Sequence, residues 1–129
     1  MSENISLLYN ACCGGFSVSN RALELYNLRM KELNPIFTNI EYDFLLKRDD
    51  PVLIEIYYKC GSKIFGGRGT KIEIKLIEKK YLDFISYNEY DGSEDITIDY
   101  NHYKIFHITK IMLLNICNDE KINRIKYLI

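Results

Sequence analysis

Asp91-Gly92 constrains the fold of this chain more than any other pair of residues. The pair separates "YLDFISYNEY" from "EDITIDY". Asp-Gly supplies the two positive-φ positions of a tight type I′ turn, so the flanking segments are expected to pair as an antiparallel hairpin. Phe84, Ser86 and Asn88 point one way along the first arm, and Ile85, Tyr87 and Glu89 the other. Ile96 and Ile98 form the apolar side of the returning arm. Upstream, "TKIEIKLIEKK" alternates Ile72, Ile74 and Leu76 with Lys71, Glu73 and Lys75, the period of a half-buried strand.

The rest of the chain is punctuated by helix signals. "ISLLY" at 5–9 is a short buried strand, broken by Gly14-Gly15. Ser19 is an N-cap for a helix over 20–33, with Ala22, Tyr26, Met30 and Leu33 recurring at helical spacing and Pro35 beyond its end. Residues 36–46 read as an extended connection or a short strand. Asp50-Pro51 opens a second helix over 51–60, and Gly61 closes it. "GSKIFGGRG" is a turn-rich connector. From His102 the pattern is helical and apolar nearly all round; Asn118-Asp119-Glu120 marks either a second C-terminal helix or a kink, with Ile122, Ile125 and Leu128 repeating after it. The expected fold is α+β, a single domain over 1–129. One layer of about four mostly antiparallel strands carries packed helices, in the order β-α-α-β-β-β-α-α. The last three strands form a meander that the first joins at an edge or the centre. A C-terminal helix apolar on most sides needs cover from more than one direction, which a partner subunit could supply.

Composition narrows the function classes. A net charge of −1 argues against nucleic-acid binding by bulk positive charge. No window approaches the roughly eighteen apolar residues of a membrane span, and the start of the chain lacks a signal-peptide pattern. The four cysteines, Cys12, Cys13, Cys60 and Cys117, are therefore expected as thiols in a cytoplasmic protein. They lack the paired C-x₂₋₄-C spacing of a zinc site, and no metal or other cofactor is expected.

Four clusters could carry chemistry, and each also has an ordinary structural account. Cys12 could be a nucleophile near a helix start, or a small apolar residue ending the strand. Gly14-Gly15 followed by a helix could expose amides to an anion, or simply turn the chain. Arg68, between Gly66-Gly67 and Gly69, could clamp a phosphate or carboxylate, or ride on a mobile connector. Glu89, Asp91, Glu94 and Asp95 could serve acid–base chemistry, or be solvated acids of a hairpin tip. Many tyrosines suit an interface or base stacking, although their codons also suit an AT-rich genome.

Tyr9-Asn10-x-Cys12-x-Gly14-Gly15-Phe16-Ser17-x-Ser19, the Asp50-Pro51 helix to Gly61, the basic strand at 71–77 and Glu89-Tyr90-Asp91-Gly92-Ser93-Glu94 together resemble a family of small uncharacterised proteins of phages, bacteria and giant DNA viruses. The Ile- and Lys-rich version here is most similar to the giant-virus members. Cys13 stands where the pattern has an aromatic residue, and Lys79-Lys80 where it often has a proline. The resemblance implies a viral accessory protein and supplies no activity. Three functions are then open: non-catalytic association with a protein partner or a second copy through the C-terminal helices, binding or sequestering of a nucleotide or other small anion, and thiol-dependent catalysis. The ligand-site candidates are Asn10, Cys12, Gly14, Gly15, Arg68, Tyr90 and Asp91, with no catalytic residue assigned. The expected location is the host cytoplasm, with packaging in the virion as the alternative.

Overall fold

The computed structural model describes residues 3–119. Its helices begin and end where capping chemistry dictates. Helix α1 (Asn20–Leu33) starts at Ser19, whose Oγ accepts from the Ala22 amide at 3.1 Å. Helix α2 (Pro51–Cys60) starts at Asp50, whose Oδ1 accepts from Val52 and Leu53. Gly61 ends it at φ 80°, a conformation that costs glycine little. The Tyr26 hydroxyl donates to the other oxygen of Asp50 at 2.5 Å, tying α1 to the start of α2. Burial and that carboxylate push the Tyr26 hydroxyl well above its ordinary pKa.

The chain is α+β. Its strands form two separate antiparallel pairs rather than one four-stranded layer. Strand β1 (Asn4–Asn10) pairs with β2 (Ile72–Glu78), Leu7 opposite Lys75. Strand β3 (Ile85–Tyr90) pairs with β4 (Ser93–Ile98) across Asp91-Gly92, both at positive φ. The expected meander is interrupted because 79–84 winds into a 3₁₀ turn, which breaks the ladder between β2 and β3. A second 3₁₀ turn, Asp43–Leu45, occupies the stretch that read as ambiguous, and a short helix α3 (Ser62–Phe65) lies inside the expected connector.

The β1–β2 ribbon is covered on both faces. Leu8, Ile72 and Ile74 pack against Ala22, Tyr26, Leu53, Ile56 and Phe65 of the helices. On the other face, Leu7 and Ile77 pack with Ile96 of the hairpin. Full burial of each such side chain contributes about 1.5–3 kcal/mol. Coverage ends before Leu76, which is 63% exposed although the alternation places it with Ile72 and Ile74. Helix α4 (Tyr100–Asp119) completes the described chain and runs unbroken through Asn118. The residues read as a second C-terminal helix, from Ile122 on, lie outside the described residues.

Candidate functional site

The two glycine motifs meet although nearly eighty residues separate them in sequence. Asn10 lies between them, at the end of β1, and is fully buried. Its Nδ2 donates to the carbonyls of Cys12 (2.7 Å), Gly15 (2.9 Å) and Gly92 (2.9 Å). Its Oδ1 accepts from the amides of Cys12 and Lys71. One amide side chain thus joins the N-terminal turn, the start of β2 and the hairpin tip. The Gly14 amide donates to the Asp91 carbonyl at 3.1 Å. Gly92 packs so closely on Gly14 and Gly15 that a Cβ there would overlap both of their amide nitrogens.

A buried ion pair underlies this junction. The Asn10 amide donates to Glu94 Oε1 at 2.8 Å, and Arg48 binds both Glu94 oxygens at 2.7 and 2.8 Å. The Arg48 guanidinium lies 3.6 Å from the centre of the Phe16 ring and 4.9 Å from that of Tyr87. Such stacking suits a weakly hydrated planar cation. Burial alone would raise the Glu94 pKa. The Arg48 and Asn10 hydrogen bonds, with the Arg48 charge, outweigh it and hold the carboxyl below its ordinary value of 4.5. Burial drives the Tyr87 hydroxyl up to about 12, against the opposing pull of Arg48. Reading Glu94 as a solvated tip acid is therefore corrected. It sits on the same strand face as Ile96 and Ile98, a period-two relation already visible in the sequence, and it is shielded with them. Arg48, Phe16 and Tyr87 have no comparable sequence signal, because only the fold brings them together.

The other candidate residues flank this junction. Cys12 lies beyond the strand, which ends at Asn10, so its reading as the apolar end of β1 is corrected. Its Sγ is 3.9 Å from that of Cys13, on the surface. Arg68 is exposed, and the neighbouring Gly69 carbonyl faces Gly14. Tyr90 and Asp91 are exposed at the tip. His102 meets the Phe84 ring edge-on, and His107 stacks on Tyr103. Among the described residues, no three His, Cys, Asp or Glu side chains gather as a metal-binding group, and no buried side-chain polar atom lacks a partner. The Asn10 side chain is fully engaged by the protein itself.

Among the described residues, the longest run of exposed apolar side chains lies elsewhere, on α4. Its first turns dock on the 3₁₀ turn at 79–84 through aromatic contacts. Tyr81 meets Tyr100 and Tyr103 at 5.2 and 4.8 Å, and Phe84 meets Tyr103 and Phe106 at 5.5 Å. From Lys104 to Asn118 every residue is exposed. Eight of them are Ile, Leu, Met or Phe, at 45–65% exposure. Among the described residues, no helix is long and apolar enough to cross a membrane. No protein-family model, curated protein or solved structure matches the chain.

Proposed function

We propose that this chain is a non-catalytic viral accessory protein that works by protein association through α4. The observation that carries this reading is the run of eight large apolar side chains left in water along one helix. A contiguous patch of that kind marks an interaction surface in a soluble fold. The viral assignment rests on the opening and hairpin motifs and places the protein in the host cytoplasm or the virion. The test is light scattering on the full chain over a range of concentrations. A defined mass above that of one chain, 15.2 kDa, is expected. A strict monomer at every concentration removes self-association.

A second reading is a small-anion binder, favoured by exposed Arg68 lying in the loop that abuts the Gly14 turn. A thermal-shift panel of nucleotides tests it. Stabilisation of the wild type, absent in Arg68→Ala, supports it, and no shift at millimolar ligand removes it. Thiol catalysis would rest on Cys12. Identical reaction of the wild type and Cys12→Ser with a mild alkylating probe rules it out.

A further inference from the structure

Association through α4 leaves the two neighbouring thiols at the other side of the chain without a role. Cys12 and Cys13 lie just past the end of β1, with their Sγ atoms 3.9 Å apart. Both are free thiols, Cys13 exposed and Cys12 half-buried. The backbone beneath them is held in place. Cys12 donates its amide to Asn10 Oδ1 at 3.2 Å, and its carbonyl accepts from Asn10 Nδ2 at 2.7 Å. On either side, the Ala11 amide donates to the Lys71 carbonyl and the Gly14 amide to the Asp91 carbonyl. The peptide that joins the two cysteines therefore cannot turn without giving up a bond to buried Asn10.

Three chemistries compete for such a pair. A disulfide needs sulfurs about 2.05 Å apart and Cα atoms usually about 4.4–6.8 Å apart. Neighbouring Cα atoms stand only about 3.8 Å apart, so closing the ring strains the very peptide that Asn10 holds. A closed zinc site needs four ligands, and among the described residues no third His, Cys, Asp or Glu joins the pair. The third chemistry is a single soft centre bonded to both sulfurs. At bond lengths of about 2.3 Å, such a centre sets the sulfurs about 3.8 Å apart at a tetrahedral angle and about 4.6 Å apart in a straight line. The observed 3.9 Å matches the bent case. A trivalent arsenical meets that demand, because it takes two sulfurs at a bent angle and carries its own organic group in the third position.

We propose that Cys12 and Cys13 form a preorganised dithiol site for a monosubstituted trivalent arsenical. The step is a condensation: R–As=O and the two thiols give R–As(S–Cys)₂ and one water. Two S–H bonds and the As=O bond break, two As–S bonds form, and both protons leave on the oxygen. Arsenic stays trivalent, so no oxidant or reductant takes part. The site stands independently of association through α4.

The experiment titrates the full chain with phenylarsine oxide and reads the product by intact-mass spectrometry. One adduct per chain, formed with loss of one water, is expected; it should resist glutathione and yield to 2,3-dimercaptopropanol. Cys12→Ser and Cys13→Ser should each weaken binding by about a hundredfold, because the second As–S bond forms at the high effective concentration of a tethered partner. The double variant Cys60→Ser, Cys117→Ser should bind as the wild type does. An adduct that survives Cys13→Ser, or is lost with Cys60 and Cys117, overturns the site. Because the turn holds the thiols ready, the adduct should also raise the midpoint of urea unfolding. An unchanged midpoint means that the unfolded chain binds equally well, and it overturns the preorganisation. Glutathione disulfide should leave a mixed disulfide on exposed Cys13. Ready closure of a Cys12–Cys13 bond instead overturns the preference for a bridging centre.

Discussion

Asn10 joins three chain segments with one side chain, so its chemistry should tolerate little change. Asn10→Asp keeps the shape but sets carboxylate oxygen against three carbonyls. A loss of about 3 kcal/mol in urea unfolding is expected from buried groups left without partners. Gly15 and Gly92 share φ +84° but differ in surroundings: nothing lies within 4 Å of a Cβ at Gly15, whereas one at Gly92 meets backbone. Gly15→Ala should cost about 1 kcal/mol from backbone conformation alone, and Gly92→Ala about 3 kcal/mol or more once overpacking is added. Equal losses would show that the hairpin tip does not press on the turn. Glu94 gives the junction a pH dependence. Its folded pKa lies below the ordinary 4.5, so its contribution is fully present above that value and is lost as pH falls through the folded value. Arg48→Met leaves the buried carboxylate without its cation and should cost about 3 kcal/mol at neutral pH. The acid loss of stability should also be smaller in this variant than in the wild type.

At the scale of elements, legibility followed local chemistry. The bounds of α1 and α2 were readable because Ser19, Asp50-Pro51 and Gly61 act within a turn of their own position. The hairpin was readable because Asp91-Gly92 sets both its turn and its register. Alternation in β2 revealed a strand but misplaced Leu76, since period two records which residues share a side and not how far the cover extends. The split into two ribbons was hidden because 79–84 carries no glycine or proline to announce a 3₁₀ turn. Of the candidate site, Asn10, Gly14, Gly15 and Asp91 were found from motif residues. Arg48 was missed because its partners, Leu8, Phe16, Tyr87 and Glu94, lie far from it in the chain.

For the whole molecule, the folded body and α4 obey different rules. The body is stapled by buried polar contacts and should unfold at a temperature independent of protein concentration once dissociated. If α4 pairs with a second copy, the full chain should instead show a melting temperature that rises with concentration, because association stabilises only the folded form. A double variant that places charge on this surface, Ile108→Glu with Met112→Glu, should lose that dependence. Scanning calorimetry over a hundredfold range of concentration separates the two cases.

The bond from Asn10 to Glu94 also sets an order of events during synthesis. It spans 84 positions, so the first strand must wait on the ribosome until the hairpin has emerged before its end can be locked. At about 5–20 residues per second, the earliest-made segment stays open for several seconds. The greasy arm is translated after every residue of that lock. A nascent chain therefore has the means to close its body before it displays the surface that a neighbour would seize, which keeps premature entanglement on the polysome to a minimum.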